Sequence, residues 1–436
     1  MRMIKPLMQV AASALALVPI VADCQAQMIA RLPDPATSPQ GPVQNDLVDA
    51  WRSARDYDPQ FRSAVAQRQV NIATANQGLT QYLPSASYQM TSVATENTTR
   101  QIVSVTQPLF SVDRYATIRE IAPRKRFANA TLAVADQNLA NRLLTEVTAY
   151  IAAVENARAN GAKIDALQKQ ADRSQKMYQS GLGTITDARD IQVQYEAAQA
   201  NGILLASAAK ASAARIGAIT GKKVGPLDFR FPEKLGTIHL DTLSAYVDRQ
   251  VRDNPAIIVA LQNERVGRFE ALKAKGSLLP TVGLSATYTN ASNTGSSSYA
   301  GFSVSAPIAP GGFFQVRAAN ATARGAIEQR RQAVQQARVD LERLYEQVNG
   351  GQEALVISAK AIETAQLSVE ANTKSFEGGV RTTVDVVNAI QTLYTVRSAY
   401  VTQATQLAVN LLTLLLVSGD DTADAMEVAQ KFLFGK

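Results

Sequence analysis

The chain is written twice. Leu47, Asp58-Pro59 and Leu83-Pro84 recur as Leu243, Asn254-Pro255 and Leu279-Pro280, each 196 residues later. Pro108 recurs as Pro307, 199 residues later. Tyr178, Gly181, Thr184, Asp187 and Gly221 recur as Phe376, Gly379, Thr382, Asp385 and Gly419, all 198 residues later. A near-constant offset through separate blocks implies two similar halves, 27–221 and 243–419, set side by side. Between them 222–242, with Pro226 and Pro232, reads as a linker, and 420–436 reads as a C-terminal tail.

Each half follows one grammar. A helix-period stretch (46–82, then 243–278) is interrupted at Asp58-Pro59 or Asn254-Pro255, because proline cannot continue a helix, and Leu-Pro ends it. A strand hairpin follows, 84–109 and 281–307. Then comes a long helix, a turn at 180–187 or 377–385, and a second helix. In the second half Ile327, Val334, Leu341, Val348, Leu355, Ile362 and Val369 stand seven apart, the spacing of a coiled-coil seam. Leu143, Tyr150, Ala157, Ile164, Ala171 and Tyr178 form a softer version in the first half. A helix of ~60 residues is ~90 Å long, longer than an ordinary globular core. A solvated coiled-coil stalk is one reading of that length.

The hairpins point elsewhere. Val282, Leu284, Ala286 and Tyr288 alternate with Gly283, Ser285, Thr287 and Thr289. Ala300, Phe302 and Val304 alternate with Gly301, Ser303 and Ser305, and Ala86, Tyr88 and Met90 with Ser87 and Gln89; 101–107 alternates less well. A barrel wall between lipid and water has this pattern; a small soluble sheet capping the helices is the plainer alternative. Four strands are too few for a membrane barrel, and an open edge cannot be left in lipid. If these strands span a bilayer, several chains must share one barrel.

Composition narrows the chemistry. Among 436 residues there is one His, His239, and one Cys, Cys24. A Cys/His zinc site needs three or four such ligands, and a disulfide needs two Cys. A Ser-His-Asp triad would have to use His239, beside Asp241 and with no nucleophile motif in view. No enzyme, metal or cofactor is therefore expected. Hydrophobic residues make up 46% but aromatics only 6%, which suits closely packed Ala, Val and Leu helices. Gly217-x-x-x-Gly221-Lys222 lacks the spacing and the Ser or Thr of a phosphate loop, and Gly181-x-Gly183 lacks the third glycine of a dinucleotide site. Arg124-Lys125-Arg126 and Arg330-Arg331, on long helices, read as solvated faces, so nucleic acid is not expected as a partner.

Residues 1–26 read as a secretory signal: Arg2 and Lys5, then an apolar run from Met8 to Ala22, then Cys24-Gln25-Ala26 at a cleavage site. Cys24 raises lipidation as an alternative, but Asp23 stands where a lipoprotein signal has a small residue. The mature protein is expected beyond a membrane. No later stretch has 18 uncharged apolar residues in a row, so a helical span is not expected.

Two segments, Tyr178-Gln-Ser-Gly-Leu-Gly-Thr-Ile-Thr-Asp187 and Ser375-Phe-Glu-Gly-Gly-Val-Arg-Thr-Thr-Val-Asp-Val386, carry a resemblance to the TolC family of outer-membrane efflux proteins, and it covers nearly all of the mature chain. The resemblance implies a mainly α protein with membrane β structure. Three copies would build a 12-stranded outer-membrane β-barrel continued by a coiled-coil α-barrel tunnel across the periplasm. It implies a homotrimer in outer-membrane lipid, working with a periplasmic adaptor and an inner-membrane ABC or proton-driven transporter. The function implied is a channel-tunnel for type I secretion or multidrug efflux, with Arg381-Thr382-x-x-Asp385 leaning towards secretion. The turns would form the closed periplasmic entrance. Asp385 matches the family's aperture carboxylate, so threefold symmetry would make a ring that favours cations. Asn388 stands where a second family carboxylate is expected. Arg381 matches an arginine that closes the entrance, with Thr186 and Asp187 as candidate partners, and Phe376 replaces a tyrosine of that latch. Gly181, Gly183, Gly378 and Gly379 are read as turn glycines, and Thr186 or Asp187 and Thr383 or Asp385 as helix caps.

Overall fold

Each half opens with two short helices whose break is built into the sequence. α1 (Leu47–Tyr57) is capped by Asp46, which accepts from the Val48 and Asp49 N–H groups. It stops at Asp58, and α2 (Pro59–Gln77) starts at once. Pro59 sits at the first helical position, where no N–H is needed, and the Asp58 carboxylate caps Phe61 N–H at 2.8 Å. In the computed structural model the described residues are 46–93, 98–225, 228–232, 234–292, 295–307 and 310–435, so the expected signal segment and Cys24 lie outside them.

A single 3₁₀ turn, Gly78–Tyr82, leads from α2 to the strands β1 (Ser85–Val93) and β2 (Thr98–Phe110). β2 runs straight into α3 (Val112–Gln179), 68 residues or about 100 Å long. α3 begins well before its proline-free stretch and passes through Pro123; Ser111 caps its start. It turns back at the tip into α4 (Ile185–Thr220). The second half repeats the order as α5 (Leu243–Asp253), α6 (Pro255–Gly276), β3 (Thr281–Ala291), β4 (Gly295–Ser305), α7 (Gly311–Glu377) and α8 (Thr383–Ser418).

The breaks let two shorter helices stack end to end against each long one. The left-handed Gly221 ends α4 against the Tyr57 ring, where an added Cβ would lie 2.7 Å from it. Gly419 ends α8 against the Asp253–Asn254 backbone in the same way. Asn254 caps α6 through Ala256 N–H at 2.8 Å and donates to the Val417 carbonyl at 2.6 Å, stitching the stacked ends together. Of the heptad series, Leu341, Val348 and Leu355 are buried within the chain, while Ile327, Val334, Ile362 and Val369 are half-buried.

The four strands form one antiparallel sheet in the order β1-β2-β3-β4, so the halves are joined by the β2–β3 ladder. The register puts Ala86, Val105, Ala286 and Ala300 in one row, with Tyr88, Val103 and Tyr288 beside it and Leu284–Phe302 and Val282–Val304 below. The other face carries Ser87, Ser104 and Thr287, then Ser85, Thr106 and Ser285. One face is thus mostly apolar, with Gln101, Gln107, Asn290, Ser296 and Ser298 among its polar members, and the other mostly hydroxyl-bearing, with Ile102 and Tyr299 as exceptions. Tyr88, Met90, Leu284, Tyr288, Phe302 and Val304 are exposed, so nothing among the described residues covers this face. Pro108, on an inner strand, sits where the register shifts before Phe110, which accommodates its missing N–H.

The presumed linker and tail are packed structure. The C-terminal segment forms α9 (Thr422–Phe434), capped by Asp421, and it buries Ala425, Met426, Ala429, Phe432 and Leu433. Its last turn holds the described part of the connecting segment: Phe229 packs near Phe434, and Gly236 N–H donates to the Phe432 carbonyl at 2.8 Å. The described residues of the connecting segment form no helix or strand, yet Val224, Phe231, Leu235, Ile238 and Leu240 pack against the core, and residues spaced with neither helix nor strand period give composition no signal of this.

A Cβ on Gly236 would fall 2.3 Å from the Lys431 carbonyl oxygen, whereas one on Gly350, mid-way along α7, would meet nothing within 4 Å. Gly236→Ala is expected to destabilise the protein by about 1–3 kcal/mol and Gly350→Ala to stabilise it by about 0.5–1 kcal/mol, read from thermal unfolding.

Candidate functional site

At the end far from the sheet, both helical hairpins turn by the same device. After α3, Gly181 adopts φ +71°, its N–H bonds the Tyr178 carbonyl, and Leu182 N–H bonds the Met177 carbonyl. After α7, Gly379 adopts φ +75°, its N–H bonds the Phe376 carbonyl, and Val380 N–H bonds the Ser375 carbonyl. This paired 6→1 and 5→2 closure satisfies the last carbonyls of each helix. The left-handed residue is a glycine in both halves because a Cβ is unfavourable there. Gly183 and Gly378, expected to serve likewise, have no positive φ. Their counterparts in the other half are Arg381 and Ser180, so neither position demands glycine.

The caps fall one to three residues before the expected Thr186 or Asp187 and Thr383 or Asp385. Thr184 caps α4, its hydroxyl accepting from Asp187 N–H at 3.1 Å, and Thr382 caps α8 by accepting from Asp385 N–H at 3.3 Å. Thr186, Asp187, Thr383 and Asp385 lie inside the first turns. An aspartate three residues after a cap can reach back, and Asp385 does so. Its Oδ2 accepts from both the backbone N–H and the hydroxyl of Thr382, each at 2.9 Å, completing a capping box. Those bonds, backbone first, together with the nearby Arg381 charge, hold the Asp385 carboxyl below the usual aspartate range.

Arg381 pairs with Asp385 of its own turn, Nη1 to Oδ1 at 3.7 Å. Among the described residues it does not bond Thr186 or Asp187, so the expected cross-bond is not formed within one chain. The positive end of the Arg381 side chain is drawn to the nearer carboxylate, four residues away on its own helix start. Asn388 is exposed one turn along α8. The contacts between the two hairpins near the tip come instead from Arg173, a residue that no motif singled out, meeting the start of the second turn segment. Arg173 of α3 lies over the Phe376 ring at 4.8 Å and reaches Glu377 at 3.5 Å. Farther from the tip, Lys163 of α3 bonds Gln391 of α8 beside a polar cavity of about 650 Å³ that Asn160, Tyr394 and Ser398 help to line. Arg173 has no repeat partner and looks like an ordinary helix-surface charge in sequence.

The outer membrane efflux protein family profile matches residues 248–420. The chain is similar to the alkaline protease secretion protein AprF of Pseudomonas aeruginosa, 23% identical over 383 residues, covering 80% of this chain and 79% of AprF. It is similar to the outer membrane protein TolC of Escherichia coli, 23% identical over 382 residues, covering 80% of this chain and 77% of TolC. Among solved structures, the outer membrane protein VceC of Vibrio cholerae superposes with a TM-score of 0.74 at 15% identity, covering 86% of this chain and 96% of VceC. That likeness establishes the fold.

Two outcomes are expected at the tip. Gly181→Ala and Gly379→Ala should each lower local hydrogen-exchange protection by about 1–2 kcal/mol, while Gly378→Ala leaves it unchanged. Because the Asp385 carboxyl is depressed in the fold, its capping contribution is complete above the unfolded value near 3.8 and is lost as pH falls through the lower folded value. In Thr382→Val the Asp385 midpoint should move up towards 3.8, read by carbon NMR of labelled aspartate.

Proposed function

Because the chain belongs to the TolC family of outer membrane efflux proteins, we propose that it is the outer-membrane duct of a tripartite export system, passing cargo from an inner-membrane transporter to the outside. It resides in the outer membrane, with its helices in the periplasm. The family's members are transport channels rather than enzymes, and the energy for export comes from the inner-membrane partner. One observation carries this reading: a four-stranded sheet with an exposed apolar face and two unpaired edges, rooted on helices about 100 Å long.

Among the described residues neither edge has a partner, since β1 and β4 are the outer strands. Pairing β1 of one copy with β4 of the next closes the sheet, and three copies give 12 strands. The apolar face then meets lipid and the hydroxyl face lines the lumen. The helices favour the same ring. α4 and α8 are each long and apolar enough by composition to cross a membrane. α8 uses that apolarity in the core, while α4 leaves Val193, Ile203 and Leu204 exposed. α7 leaves Val339, Val356, Ile357 and Leu367 exposed, a second uncovered stripe for a neighbouring copy. α4 also carries Arg215, bonded to Glu146 of α3 at 2.6 Å, which suits a wall helix better than a membrane span.

The partners are a periplasmic adaptor and an inner-membrane transporter. Similarity to AprF, a protease secretion protein, together with Arg381-Thr382-x-x-Asp385, favours protein secretion of the type I kind. A coiled-coil stalk has no use for an open-edged membrane sheet or for two matched tip turns. In the trimer the three Asp385 carboxylates, with Arg381 beside each, set the charge at the entrance.

Single-channel recording in a planar bilayer tests the reading. Discrete, cation-selective steps are expected from the native oligomer, and an intact oligomer that never conducts refutes the duct. Asp385→Ala should lower the cation preference, and Arg381→Ser should raise both that preference and the conductance; unchanged reversal potentials in both variants would remove this pair from the aperture.

A further inference from the structure

We infer that Arg173 is the positioning residue that holds the two hairpin tips of each chain together and so limits how wide the entrance stands; this rests on the duct reading. The two halves are tied along the α3–α8 contact by Gln137 to the Leu416 carbonyl at 3.0 Å, by Thr413 to Asn141 at 3.2 Å, and by Lys163 to Gln391. These bonds fall at successive heights along α3. From Lys163 to the end of α3 at Gln179 the helix runs on for about 24 Å. Over that last stretch, among the described residues, the hydrogen bonds and ion pairs between the halves reduce to those of Arg173.

Arg173 is suited to the task. Its guanidinium lies 4.8 Å from the Phe376 ring centroid, and Nη1 lies 3.5 Å from Glu377 Oε1. A planar guanidinium can stack on a ring and pair with a carboxylate at once, which an ammonium does poorly. Phe376 has no hydroxyl to bond with; its face is what it offers. Both partners belong to the last turn of α7, immediately before the left-handed Gly379, so the clamp grips the α7–α8 tip at its root. One turn back on the same face of α3, the buried Gln170 leaves Nε2 without an acceptor.

The clamp is also weak enough to open. Arg173 and Glu377 are about half exposed, and such pairs contribute little individually and are screened by salt. Three copies around a ring multiply the effect, so an export partner that moves the tips has a low but definite barrier to overcome.

The test uses the full-length oligomer in a planar bilayer. Arg173→Gln and Glu377→Gln should each raise the occupancy of the high-conductance state roughly threefold to fivefold over the unmodified protein. Arg173→Lys should fall between, because it keeps the charge and loses the stacking. The exchange of both charges, Arg173→Glu with Glu377→Arg, should return occupancy towards the unmodified level, which a merely structural role would not produce. Conductance normalised to bulk conductivity should rise with salt in the unmodified protein and not in Arg173→Gln. An unmodified oligomer that conducts and is matched by Arg173→Gln at every salt concentration overturns the clamp alone. An unmodified oligomer that does not conduct removes the duct and the clamp together.

Discussion

A sheet with one apolar face and two unpaired edges is not a finished object. In water the apolar face is a liability, and in lipid the open N–H and C=O groups of an edge strand are worse. β1 and β4 are those edges, and Tyr88, Leu284, Phe302 and Val304 lie on that face. Assembly and location are then one requirement, since the same closure that pairs the edges turns the apolar residues outward. The helices inherit the arrangement because β2 passes into α3 across a single capping residue, Ser111, and β4 into α7 after a short connection.

The helical part solves a different problem, which is how to keep a single layer of side-by-side helices in register over about 100 Å without a broad core. Each half uses one unbroken helix and a stack of shorter ones. The stack is possible because Asp58-Pro59 and Asn254-Pro255 start a helix where Gly221 and Gly419 have just ended another. At that level the chain also wraps its connecting segment and α9 against the bundle, with Trp51, Phe229, Leu411 and Phe432 in one apolar cluster. The broadest part of the core is therefore a belt around the middle, and the parts above and below are thinner.

Much of this was legible in the residues. The duplication, the proline breaks, the alternating strands and the turn glycines 181 and 379 each follow from a local rule that tertiary structure did not override. The caps were misplaced by a few residues because Thr184 and Thr186, or Thr382 and Thr383, are equivalent in composition, and only backbone conformation tells which one precedes the helix. The packing of the C-terminal segment is hidden in the sequence because α9 is short and its partner is an irregular segment more than 180 residues earlier. The tip contacts were the least legible. Arg381 had a motif but bonds its own turn, while Arg173 had none and meets Glu377, inside the second turn segment, because two long helices are level at that height.

The two left-handed glycines have a mechanical consequence. Each turn closes its own carbonyls and caps its own next helix, so a hairpin tip owes nothing to its surroundings for its shape. Such an end behaves as a stiff lever. It can swing without unravelling, and the compliance of the whole passage then resides in the side chains between levers, where a stroke of a few ångströms exposes no backbone at all.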